Sequence, residues 1–201
     1  MEYVLKNFLD QEDINAIINL AQVEFNNNHI NYYPETGRAI VSIENGMKRF
    51  YPNIIEKIEN IASKEYKTDL KIKRAGYMKY SKEYGIPALH PHIDAYVGQV
   101  VFDYQVRSNI DWAVVVEGRS YTLKDNDALM FSGEDQAHWR EILNFNDDNY
   151  LDILVFNLAD SKHWSNFNDE NPRPIDEIME DIFKIREKYK DTYPLDSNPL
   201  L

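Results

Sequence analysis

The sequence predicts a mainly β domain flanked by helices: a sandwich or barrel of about seven or eight strands, with two helices before it and one after. Two observations carry this. Apolar stripes at helical spacing lie towards the two ends of the chain, and between them short runs of alternating apolar and polar residues recur, bounded by turn residues. A length of 201 residues has room for one substantial core and not for two. The chain therefore reads as one domain over 1–201, with a helical part at 1–68, a β core at 69–160 and a C-terminal extension and helix at 161–201.

The first helix begins at Asp10, a good N-cap followed by acidic residues, and carries Ile14, Ile17, Ile18 and Ala21 on one face. Residues 27–50 are Asn-rich and mixed, and read as loop and short strand. Pro52 opens a second helix whose stripe is Ile54, Ile55, Ile58, Ile61 and Ala62. From Leu70 the period changes to two, with Ile72, Met78 and Tyr80 on one strand face. Further strands are predicted at 96–106, 111–117, 119–123, 127–132, 137–142 and 151–158, separated by turn signals such as Ser108-Asn109, Glu117-Gly118 and Asn146-Asp147-Asp148. Pro172 and Pro174 introduce the last helix, with Ile175, Ile178, Met179, Ile182 and Ile185 forming its apolar face and Tyr189 at its end.

Charge narrows the function. Against 22 Lys+Arg stand 34 Asp+Glu, a net charge of −12 that disfavours a phosphate backbone as partner. There is no cysteine, which excludes disulfide frameworks, thiolate metal sites and cysteine nucleophiles together. Any metal must be held by histidine and carboxylate. The N-terminal residues lack the basic-then-apolar pattern of a secretion signal, and no apolar run is long enough for a membrane span, so the protein reads as soluble and cytoplasmic. A nucleophile elbow, a phosphate loop, a dinucleotide fingerprint and a His-Glu-x-x-His helix are all absent.

The candidate chemistry lies in His90-Pro91-His92-Ile93-Asp94 and in His138. On an extended strand His92 and Asp94, two residues apart, project to one face. With His138 they make two imidazoles and one carboxylate, a facial set that leaves three positions of an octahedral metal open. A bidentate 2-oxo acid and dioxygen can fill those positions. His92 is preferred to His90 because only it completes His-x-Asp; His90 is then a loop histidine or a contact at the entrance. His163 with Trp164 reads as a capping pair beyond the last core strand.

In the opening VLKNFLDQEDINAIINLA, the strand RAGYMKY, HPHID and GEDQAHWRE, the sequence resembles the iron(II)/2-oxoglutarate-dependent dioxygenase superfamily, and within it the small prolyl-hydroxylase-like group. The resemblance covers most of the chain. It implies a double-stranded β-helix, a squashed jelly roll with the metal at its open mouth. It further implies Fe(II) and 2-oxoglutarate as cofactors and His92, Asp94 and His138 as metal ligands and catalytic residues. The reaction implied is hydroxylation of an amino-acid or peptidyl, prolyl-type side chain, with dioxygen and a small-molecule or peptidyl substrate as partners.

Family members usually carry a basic residue on the final core strand for the far carboxylate of 2-oxoglutarate. Here that strand, 150–157, has neither Lys nor Arg. Arg140, two residues beyond His138 and so expected on the same inward face, is the best replacement, the other reading being an ion pair with Glu141 at the rim. Arg107 and Lys79 are weaker candidates. Tyr80, twelve residues before His92, either hydrogen-bonds the 2-oxo acid, as the resemblance implies, or packs in the core. Trp139 alternates outward, beneath a helix. Two rival functions remain open: a 2-oxoglutarate-independent iron or cupin-like enzyme, motivated by the missing basic residue, and a non-catalytic sandwich used for binding.

Overall fold

A computed structural model describes residues 2–94, 97–163 and 175–191. After a short strand β1 (Tyr3–Leu5) comes α1 (Gln11–Asn26), whose first turn is capped by the Asp10 carboxylate accepting from the Asp13 N–H at 2.9 Å. Strands β2 (Asn31–Tyr33) and β3 (Arg38–Ser42) lead to α2 (Glu44–Phe50) and α3 (Pro52–Tyr66). Pro52 occupies the first turn of α3, where a missing N–H costs nothing. Eight strands follow: β4 (Lys71–Ser81), β5 (Leu89–His92), β6 (Val100–Ser108), β7 (Val114–Val116), β8 (Arg119–Tyr121), β9 (Ala128–Ser132), β10 (His138–Arg140) and β11 (Tyr150–Ala159). The last described element is α4 (Ile175–Tyr189).

The strands form two antiparallel sheets, one ordered β1-β9-β6-β11-β4-β3-β2 and the other β5-β10-β7-β8. The eight strands β4 to β11 are thus shared four and four between facing sheets, which is the double-stranded β-helix, a mainly β fold with flanking helices. Strands β1, β2 and β3 extend the larger sheet beyond that core.

Period-two alternation sorts each strand of the larger sheet. Val100, Phe102 and Tyr104 of β6 and Leu154, Phe156 and Leu158 of β11 face outward and pack with Ile14, Ile17, Ile54, Ile58 and Ala62 of α1 and α3. Each fully buried aliphatic or aromatic side chain there contributes about 1.5–3 kcal/mol. Val101 and the β9 residues Leu129 and Phe131 face inward and meet Val114 and Val116 of the smaller sheet. The core therefore has two layers, helices on sheet and sheet on sheet.

The third layer is α4, which lies against the outside of the smaller sheet. Met179, Ile182 and Ile185 pack on Ile93, and the Tyr189 ring lies 4.6 Å from that of Trp139. Both Ile93 and Trp139 sit beside candidate ligands, so this helix backs the two strands that carry them. The prolines predicted to start it, Pro172 and Pro174, lie outside the described residues, as does Trp164.

The helix count differs from the prediction at one point. Three α-helices precede the β core rather than two, the extra one being the seven-residue α2. It is less than two turns long, has no side-chain N-cap and buries only Met47, so no periodic stripe exists to be read. Among the described residues no helix is long and apolar enough to cross a membrane.

Candidate metal centre

Antiparallel pairing of β10 with β5 sets His138 directly opposite His92, with ring centroids 4.2 Å apart. Asp94 follows two residues after His92, where the chain leaves β5. Its backbone N–H donates to the Gly133 carbonyl at 2.8 Å, which ties the strand end to the turn after β9. One ligand-type atom from each of His92, Asp94 and His138 lies within 4.8 Å of the others, and this is the only such group among the described residues.

The close approach behind Asp94 requires glycine at 133. A Cβ there would come within 2.8 Å of the Gly98 carbonyl oxygen and 3.3 Å of the Asp94 Cβ.

Hydrogen bonds choose the tautomers. The Nδ1 of His92 lies 2.7 Å from the His90 carbonyl oxygen, and that of His138 lies 3.3 Å from the Gln136 carbonyl oxygen. A carbonyl can only accept, so both Nδ1 atoms carry a proton, and it is Nε2 of each ring that is left to face a metal. The His92 Nε2 is 3.4 Å from the Asp94 Oδ1, while the Asn157 amide of β11 donates to the other oxygen, Oδ2, at 2.9 Å. Asp94 therefore keeps one oxygen turned to the imidazoles, the orientation that a second set of hydrogen bonds provides in metal sites.

Charge states follow from burial. His138 is 5% exposed; burial, then the nearby His92, push its imidazole down to about 3, so it is neutral at neutral pH. Burial alone would raise the Asp94 carboxyl, but the neighbouring His92 and His138 and the Asn157 amide outweigh it and hold the group well below the ordinary carboxylate range. A neutral imidazole and an ionised carboxylate are the forms that bind metal. Phe131 packs edge-on against His138 at 4.7 Å and restricts its rotation.

The interior beyond these residues is polar where the sequence offered only two candidates. Arg140 is 1% exposed and does not pair with Glu141 at a rim. Its Nη1 donates to the Trp112 carbonyl at 2.6 Å, its Nη2 to Asp103 of β6 at 3.2 Å, and its guanidinium lies over the Trp112 ring. Among the described residues neither the Arg140 Nε nor the Asp103 Oδ1 has a hydrogen-bond partner. Burial raises the Asp103 carboxyl against the opposing pull of Arg140.

Tyr80 is fully buried, stacked edge-on against Trp112 at 5.1 Å, and its hydroxyl accepts from the Arg38 Nη1 at 3.2 Å. Arg38 stands opposite Tyr80 in the β3–β4 pairing and lies over the Tyr33 ring. Burial works against its charge, but Tyr80, Tyr33 and the Asp94 carboxylate outweigh it and keep the guanidinium protonated.

The weaker candidates lie elsewhere. Arg107 is bound to Asp152 at 2.7 Å, and Lys79 sits over the Phe25 ring of α1, on the helical side of the sheet. His163 is buried with its Nε2 3.2 Å from Glu134.

Three residues of this interior escaped sequence reasoning. Asn157 and Asp103 were visible as polar breaks in apolar strands, VFNLA and VVFDY, which is a usable signal. Arg38 had none, because it lies in a stretch readable only as loop and short strand.

No protein-family model matches the sequence, and no curated protein sequence matches it. Solved structures do share the fold. A crystal structure of the epimerase SnoN in complex with Fe3+, alpha ketoglutarate and nogalamycin RO superposes with a TM-score of 0.64 at 11% identity, covering 80% of this chain and 79% of that one. The non-heme alpha ketoglutarate dependent carbocyclase SnoK gives a TM-score of 0.64 at 9% identity, over 86% and 88%. A Pseudomonas putida prolyl-4-hydroxylase gives 0.57 at 11% identity, over 77% and 90%. At these identities the likeness is one of fold.

Proposed function

We propose that this protein is an iron(II)- and 2-oxoglutarate-dependent oxygenase that hydroxylates an amino-acid or peptidyl side chain, with His92, Asp94 and His138 as its metal ligands and catalytic centre. The observation that carries the reading is the convergence of one donor atom from each of His92, Asp94 and His138 within 4.8 Å. Fold neighbours that bind iron and alpha ketoglutarate support it, and a prolyl-4-hydroxylase among them supports hydroxylation of a side chain.

The donor set fits the metal. Two imidazoles and a carboxylate on one face suit Fe(II) and leave three positions for other ligands. When bound, iron and 2-oxoglutarate supply oxidation of an unactivated C–H bond by dioxygen, with succinate and carbon dioxide as co-products.

The chain's own residues prepare that chemistry. The carbonyls of His90 and Gln136 hold both imidazoles in the metal-binding tautomer, and Asn157 keeps Asp94 from turning away. Arg140, held flat by Trp112 and Asp103, is the guanidinium assigned to the distal carboxylate of 2-oxoglutarate, its Nε still uncommitted. Tyr80 adds a phenol to the same interior.

The test is turnover by protein reconstituted with Fe(II). Oxygen consumption that requires 2-oxoglutarate and matches succinate formation one to one is the expected result. Consumption that proceeds without 2-oxoglutarate would select the iron oxygenase that draws electrons from its own substrate. Metal content unchanged in His92→Ala would select the non-catalytic sandwich.

A further inference from the structure

We propose that Arg38, with Tyr80, binds a carboxylate group of the substrate, so that the substrate is a small carboxylic acid such as a free amino acid rather than an internal residue of a polypeptide. This deepens the oxygenase reading and rests on it. Two guanidiniums reach the interior, and they are in different electrical states. Arg140 is sealed from solvent and already faces Asp103. Arg38 is half-buried, and among the described residues no carboxylate lies within ion-pair distance of it.

The contacts of Arg38 are to neutral groups: the Tyr80 hydroxyl and the face of the Tyr33 ring. Its Nε is buried and has no acceptor among the described residues. Asp94 acts on this guanidinium only from a distance, and a planar carboxylate in contact would accept two parallel hydrogen bonds from it. In a chain carrying a net charge of −12, a cation in this state stands out. Because Tyr80 accepts from Arg38, its own hydroxyl proton is available as a further donor to the same acid.

Position separates the Arg38 guanidinium from that of Arg140, the one assigned to 2-oxoglutarate. Arg140 lies on β10, two residues from His138, in the eight-strand core. Arg38 lies on β3, outside that core, where the larger sheet is extended beyond β4. 2-Oxoglutarate brings only one distal carboxylate. If Arg140 takes it, the acid for Arg38 must come from the second substrate.

The experiment uses full-length protein loaded with Mn(II), so that binding is read without turnover. Affinity for 2-oxoglutarate is measured first for wild type, Arg38→Gln and Arg140→Gln. Free amino acids and their matched carboxamides are then titrated into the 2-oxoglutarate complex, with their binding followed by nuclear relaxation from the manganese. Wild type is expected to bind at least one acid roughly tenfold more tightly than its amide, and Arg38→Gln to lose that preference while keeping metal and 2-oxoglutarate affinity within about twofold. Arg38→Lys should recover part of the preference, which separates the charge from a general packing effect. Equal binding of every acid and its amide overturns the proposal, as does a roughly tenfold loss of 2-oxoglutarate affinity in Arg38→Gln, which would give Arg38 to the cosubstrate. Wild type that takes up neither metal nor 2-oxoglutarate overturns the oxygenase reading and this inference with it.

Discussion

His138 and His92 face one another across the β10–β5 pair with ring centroids 4.2 Å apart, each anchored through Nδ1 to a main-chain carbonyl two residues earlier. Their Nε2 atoms are thus aimed before any metal arrives. Replacing either by Ala removes one of three donors and is expected to abolish stoichiometric Fe(II) or Mn(II) binding, measured by equilibrium dialysis. Asn157→Ala leaves all three donors but frees Asp94, and should weaken metal affinity about 10–100-fold.

Gly133→Ala tests the backbone behind Asp94 without replacing a ligand. The added methyl meets the Gly98 carbonyl at 2.8 Å, so the turn must shift and the Asp94 backbone bond with it. A loss of metal affinity of about tenfold is expected, on the scale of an outer contact.

Acid should destabilise the metal-free protein through His138. Its folded imidazole is pushed down to about 3, whereas in the unfolded chain it protonates at its ordinary value near 6.5. Between those values the unfolded state binds the extra proton, so stability falls as pH falls, by about 1.4 kcal/mol per unit for one group. The depressed Asp94 carboxyl acts in the same direction at lower pH, from the ordinary carboxylate range downward. Urea denaturation at pH 7, 6 and 5 should show a shallower decline in His138→Gln than in wild type.

The Arg140–Asp103 pair should behave as a buried ion pair. Asp103→Ala strands a guanidinium that is 1% exposed and is expected to cost about 3–5 kcal/mol in denaturant unfolding. Changing both partners together, Arg140→Met with Asp103→Leu, should restore most of that loss while leaving metal binding intact.

The back of the centre is open to the same kind of test. Trp139 alternates with His138 and Arg140 and packs outward on Tyr189 of α4. Trp139→Ala should destabilise by about 3–5 kcal/mol. Tyr189→Ala, which removes only the helix side of the contact, should give a smaller loss in the same assay.

Much of this architecture was legible in the amino-acid order because it depends on local periodicity. The stripe Ile14, Ile17 and Ala21 after the Asp10 cap becomes α1, and the apolar run from Ile72 to Tyr80 becomes β4, although a register shift between Arg74 and Ile72 turns Ile72 to the helical side while Met78 and Tyr80 face inward. The short α2 was not legible, since seven residues with one buried side chain carry no period. The spacing of His92 and Asp94, with His138 further on, could be read as a ligand set because strand geometry puts the first two on one face and HPHID and GEDQAHWRE resemble the motifs of a known superfamily.

What the sequence alone determined is the fold class, the helices at each end, the absence of thiol chemistry and the three candidate ligands. Tertiary structure decided the partners. That Asn157 orients Asp94, that Arg140 meets Asp103 rather than Glu141, and that Arg38 crosses from an outlying strand to Tyr80 all follow from strand pairing between residues far apart in the chain. Such contacts leave no local pattern, because their energy depends on which strands become neighbours and on how far water is excluded between them.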